Sequence, residues 1–132
     1  MTGLDTNVLV RYIVQDDPKQ SKLATECIEQ RCTSESPGFV NLVVLCELTW
    51  VLARGYGYGR DTVAAVLRGI LSSPELRVEG DEAAWQALKV YEQGTAGFAD
   101  GLIGIQNRRA GASATVTFDR KAAKDACFEL LK

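Results

Sequence analysis

The chain contains no histidine, which removes the usual general base and the base of Ser–His and Cys–His nucleophilic pairs. Its chemistry must therefore come from carboxylates, lysine or a bound metal. The four cysteines, Cys27, Cys32, Cys46 and Cys127, form no Cys-x-x-Cys pair and have no histidine to complete a zinc set. Cys27 and Cys46 fall in apolar helical stretches, where a free thiol behaves as a small hydrophobe. A reducing cytoplasm is the expected compartment. No basic segment followed by an apolar one marks the N-terminus, and no apolar run approaches the length of a membrane span. An excess of positive charge is also missing: 15 basic residues against 17 acidic ones give a net charge of −2. A nucleic-acid partner would have to be held by local basic groups such as Arg11, Arg108-Arg109 or Arg120-Lys121. Of these, the pair Arg108-Arg109 reads as a solvated helix face.

With 132 residues, 46% hydrophobic and 24% charged, the chain has the profile of one ordinary globular domain spanning residues 1–132. Short β-type stretches alternate with helical ones. Met1 to Leu4 is followed by a helix from Asn7 to Val14, which Asp16-Asp17-Pro18 stops. A second helix covers Lys19 to Arg31, Phe39-Val40 is a strand remnant, and an apolar helix runs from Asn41 to Arg54. The glycines of Gly55-Tyr56-Gly57-Tyr58-Gly59 break that helix into a hairpin with the next, Arg60 to Leu71. Leu76 to Glu79 forms a strand, Asp81 to Gln93 and Phe98 to Arg109 are helices, and Ala114 to Phe118 is a strand. A short helix, Lys121 to Asp125, and an edge strand, Phe128 to Leu131, complete the pattern. Such alternation predicts an α/β fold with a central parallel sheet.

Four acids stand out against this frame. Asp5 and Asp119 each follow a strand and precede a helical segment, the position at which open parallel sheets bind ligands. Glu47 is the only charged residue between Leu42 and Ala53. On the helical wheel it falls between Val43 and Val51 and beside Trp50, a face expected to be buried and therefore to demand pairing, protonation or a metal. Asp100 lies near the start of its helix. Taken singly, each has a local explanation: a helix N-cap for Asp5 and Asp119, an ion pair for Glu47, the helix dipole for Asp100. Gathered together, four carboxylates would repel one another unless a cation were present, and an all-oxygen set suits Mg²⁺ or Mn²⁺.

Leu4-Asp5-Thr6-Asn7-Val8-Leu9-Val10-Arg11-Tyr12, Glu47-Leu48, Phe98-Ala99-Asp100-Gly101-Leu102-Ile103 and Thr115-Val116-Thr117-Phe118-Asp119-Arg120-Lys121-Ala122-Ala123 resemble, in order and spacing, the PIN-domain nucleases. The likeness is greatest to the VapC-type toxins of bacterial toxin–antitoxin pairs. The resemblance implies a three-layer α/β/α fold around a parallel sheet and a Mg²⁺- or Mn²⁺-dependent endoribonuclease acting on RNA. It places Asp5, Glu47, Asp100 and Asp119 in the acidic site. Asp5, Asp100 and Asp119 would hold the ion, and Glu47 would orient or deprotonate the attacking water. Thr117 matches a hydroxyl residue at the rim, and Thr6 and Asn7 match the segment supporting the first acid. Of the local basic groups, Arg11, Arg120 or Lys121 would offset the charge of the scissile phosphate. A cognate antitoxin and a homodimer are the implied partners. From the residues themselves, the hairpin around Trp50, Tyr56 and Tyr58 is the candidate dimer surface, with core packing the stronger expectation for Trp50. The family often carries a further acid three positions before the third one; here that position is Gly97, so one firmly held ion is expected.

Other readings are a nuclease without an antitoxin, a haloacid-dehalogenase-like phosphatase and a non-enzymatic metal-binding module. The phosphatase wants a second aspartate two residues after the first, where Asn7 stands.

Overall fold

The structure, a computed structural model, describes residues 1–132. Its chain forms two compact units, Met1–Asp81 and Glu82–Lys132. No helix is long and apolar enough to cross a membrane.

The first unit holds strand β1 (Thr2–Gly3), helices α1 (Thr6–Val14) and α2 (Pro18–Glu26), strand β2 (Gly38–Val40), helices α3 (Leu42–Trp50) and α4 (Arg60–Ser72), and strand β3 (Leu76–Val78). Local sequence fixes these boundaries. Asp5, Asp17 and Asn41 each cap a helix by accepting a backbone N–H, and Pro18 occupies the first turn of α2, where no N–H partner is needed. Gln15 ends α1 in the left-handed conformation (φ 58°). The helix expected from Lys19 to Arg31 divides: its last residues, Cys27–Arg31, form a wider π-turn, as do Val51–Gly55 after α3.

The three strands pair in parallel in the order β1-β2-β3. Central β2 is closely packed, with Val40 fully buried. At Gly38 a Cβ would stand 2.8 Å from Leu4, 2.9 Å from the Cys32 sulfur and 3.0 Å from Leu76, so a side chain there would have to push these neighbours aside. Leu9, Leu45, Leu48, Leu52, Val63 and Leu67 fill the core of this unit.

The second unit contains most of helix α5 (Asp81–Gln93), then α6 (Phe98–Arg109), β4 (Thr115–Thr117), a short 3₁₀ turn at Ala122–Lys124, and β5 (Phe128–Leu130). Strands β4 and β5 also pair in parallel, so the parallel pairing is distributed over two ladders. Ala83, Ala84, Ala87, Leu88, Phe98 and Leu102 are among its buried residues, and Tyr91 meets Phe98 edge-on. At Gly104 a Cβ would lie 2.6 Å from the Phe128 ring, which shows how closely α6 approaches β5.

Candidate active site

Strand β1 ends just before Asp5, which becomes the N-cap of α1: its Oδ1 accepts the Thr6 N–H at 2.8 Å. The Thr6 hydroxyl donates to Glu47 Oε1 on α3 at 2.9 Å. One residue thus connects two of the predicted acids, through its backbone on one side and its side chain on the other. Both acids line an open pocket of about 330 Å³, together with Thr6, Asn7, Val10, Arg11, Val51 and Tyr56.

The expectation that Glu47 lies on a buried face is not met. Asp5 and Glu47 are both exposed, as are Val43 and Trp50, the latter at 48%. Apolar composition alone misled here, because α3 buries only the stripe containing Val44, Leu45, Leu48 and Thr49. Glu47 therefore needs no neutralising partner on burial grounds. Its significance lies in the pocket it shares with Asp5.

Arg11 is held in detail. Its Nε donates to Gln20 at 2.8 Å, and its Nη1 donates to Asp16 at 3.0 Å and to the Tyr56 hydroxyl at 3.0 Å. Tyr56 in turn donates to Asp16 at 2.7 Å. Neither Asp16 nor Gln20 was singled out from the sequence. Asp16 reads there as a helix stop, and no spacing rule connects Arg11 with a tyrosine 45 positions away.

In the second unit, Asp100 is half-buried in the first turn of α6, whose N-cap is Gly97. A Cβ at Gly97 would stand 3.5 Å from Asp100 Oδ2, so a side chain at that position would border this carboxylate. Asp119 is exposed after β4, and its Oδ1 accepts the N–H groups of Lys121 (2.8 Å) and Ala122 (3.3 Å). Thr117 Oγ1 accepts the Asp119 N–H at 3.0 Å and so helps to set the turn. Arg120 and Lys121 are exposed beside it. Lys121 lines a separate pocket of about 290 Å³ with Lys124 and Asp125. Arg108 donates to the Ala126 carbonyl and Arg109 lies 3.6 Å from Glu82, local partners that fit the solvated-face reading of this pair.

The donor chemistry fits a hard divalent cation. Asp5 Oδ2, Glu47 Oε2 and Asp119 Oδ2 accept no hydrogen bond, and neither does the Asp100 carboxylate, so each keeps oxygen lone pairs for an ion. Within neither unit do three or more histidine, cysteine or acidic side chains gather as a ready ligand group. The structure thus joins Asp5 to Glu47 and gives Asp100 and Asp119 their own settings in the other unit.

The family model of the PIN domain matches residues 4–128. A VapC ribonuclease of Aquifex aeolicus (strain VF5) is 27% identical over 124 residues, which cover 94% of this chain and 91% of that protein. The six helices and parallel strands fit the three-layer α/β/α architecture that the sequence led us to expect.

Proposed function

This chain belongs to the PIN-domain family, and on that premise we propose that it is a metal-dependent endoribonuclease, the toxin of a type II toxin–antitoxin pair. The observation that carries the reading is the Thr6-linked pair of Asp5 and Glu47, opening on one pocket at the end of a parallel strand. The likeness to a protein named as a ribonuclease supports the choice of RNA as substrate. The family match runs through both compact units, which supports treating residues 1–132 as one working domain. A cognate antitoxin, a homodimer and a cytoplasmic location belong to the same proposal.

In this reading Asp5, Asp100 and Asp119 hold the ion and Glu47 handles the water. Bound there, Mg²⁺ or Mn²⁺ supplies Lewis-acid polarisation of the phosphodiester and acidifies a water molecule. Thr6 fixes both first-unit acids: with Oδ1 of Asp5 and Oε1 of Glu47 committed to it, one oxygen of each remains for the reaction. Glu47 then accepts a proton from the attacking water at its unused Oε2. Asp119 is immobilised through Oδ1 by two backbone N–H groups, which leaves Oδ2 free. Thr117 supports that turn, Asn7 lines the pocket, and Arg120 and Lys121 offset substrate charge. Gly97 contributes no acid beside Asp100, which supports one firmly held ion.

The test is cleavage of RNA by the purified protein with Mn²⁺ or Mg²⁺. Activity should vanish in EDTA, return with the metal, and be absent in Asp5→Asn, whose asparagine preserves the helix cap. Activity that persists in chelator, or an Asp5→Asn protein as fast as the parent, would overturn the reading. A neighbouring gene for a small antitoxin would support the toxin role; its absence would favour a stand-alone nuclease.

A further inference from the structure

Arg11 is gripped by three side chains that leave one end of it unused. Of its five N–H donors, Nε serves Gln20, and the two on Nη1 serve Asp16 and Tyr56. Neither donor on Nη2 has a partner. The bracing groups come from separate places: Asp16 from the turn after α1, Gln20 from α2, and Tyr56 from the glycine-rich segment after α3. An exposed Arg–Asp pair contributes little to stability, so the convergence of three partners is better explained by orientation than by folding energy.

Arg11 and Tyr56 line the same pocket as Asp5 and Glu47. A guanidinium held through Nε and Nη1 is fixed in orientation and keeps the two N–H donors of Nη2 for an anion, each a charge-assisted donor suited to a phosphate oxygen. Arg11 stands about 9 Å from Asp5 along the α1 axis, and its partner Asp16 lies beyond the C-terminal end of that helix. Nη2 therefore addresses a different phosphate from the one beside Asp5. Hydrogen bonding to Tyr56 raises the Arg11 guanidinium above its ordinary pKa and holds Asp16 below the usual carboxylate range, so both remain charged at working pH.

We propose that Arg11, braced by Asp16, Gln20 and Tyr56, is a binding subsite for an RNA backbone phosphate flanking the one that is cut, with Asp16 and Tyr56 as its positioning residues. The subsite rests on the ribonuclease reading.

Binding of a short, labelled, mixed-sequence oligoribonucleotide tests it, measured by fluorescence anisotropy in EDTA across about 50 to 200 mM salt. Each variant is checked for folding by thermal melt. Arg11→Gln should bind about tenfold more weakly, and its plot of log affinity against log salt should be shallower by about 0.7. Arg11→Lys keeps the charge and loses the braced planar group with its free Nη2, so the slope should hold while affinity falls about threefold. Asp16→Ala should also weaken binding about threefold. That sign is diagnostic, because removing an acid near an anionic ligand tightens binding when only net charge matters. Tyr56→Phe should follow Asp16→Ala in direction. An Arg11→Gln protein with the parent's affinity and slope, or an Asp16→Ala protein that binds more tightly, overturns the subsite while leaving the nuclease reading intact. A parent that neither binds RNA in chelator nor cleaves it with Mn²⁺ removes both.

Discussion

Replacing Thr6 by valine deletes one hydroxyl and little else. Valine has the same branched shape at Cβ, and the Thr6 N–H that Asp5 accepts belongs to the backbone, so the α1 cap survives. What disappears is the 2.9 Å bond to Glu47 Oε1. A hydrogen bond to a charged group contributes about 1.5–3 kcal/mol, and the exposure of Glu47 places this one at the lower end. At about 1.4 kcal/mol per decade, kcat should fall roughly tenfold with KM nearly unchanged, because the bond orients a reacting group and does not grip the substrate. Single-turnover cleavage of labelled RNA at saturating Mn²⁺ measures this directly. A double-mutant cycle sharpens it: if Thr6 acts through Glu47, adding Thr6→Val to Glu47→Gln should cost almost nothing further. Full activity in Thr6→Val, or effects that simply multiply in the double variant, would refute the proposed role of the Thr6 bridge.

Other expectations concern packing, metal binding and pH. Gly38→Ala should destabilise the first unit by about 2 kcal/mol, since the new Cβ meets Leu4, Cys32 and Leu76 at 3.0 Å or less; a urea titration showing an unchanged midpoint would contradict that packing. Gly97→Asp places a carboxylate beside Asp100 and should tighten Mn²⁺ binding several-fold by calorimetry, with no tightening expected if Asp100 is not a ligand. Burial pushes the thiols of Cys32, Cys46 and Cys127 above their ordinary value of 9.0. The folded state therefore resists their ionisation, and stability should be full below the ordinary thiol range and decline as the pH rises through it. Thermal melts should show the decline, and alkylation at mildly alkaline pH should be slow until denaturant is added.

The order of elements was legible from the sequence because its signals are local. Asp16-Asp17-Pro18 follows the end of α1, Asn41 starts α3, and the helix from Phe98 to Arg109 was expected with the bounds it has; that Asp17 and Pro18 also open α2, one residue before the expected Lys19, is seen in the fold. The parallel pairing followed from alternating strands and helices. Helix ends were less legible, because the π-turns after α2 and α3 depend on how the final turns are received by their surroundings.

The chemistry divides along the same line. Sequence alone determined which acids matter as candidates, since aspartates after strands, a lone glutamate in an apolar helix and an acid in a first helical turn are visible as patterns. It misjudged the environment of Glu47, because a helix with apolar residues all round does not reveal which stripe is covered; only packing shows that Val43 and Trp50 face solvent. Only the tertiary structure showed that Thr6 ties Asp5 to Glu47 and that Asp16, Gln20 and Tyr56 fix Arg11. Caps and turns are written within a few residues of one another. Bonds between Thr6 and Glu47, or Arg11 and Tyr56, join positions more than forty residues apart, and no local pattern encodes which distant side chains the folded backbone will bring within 3 Å.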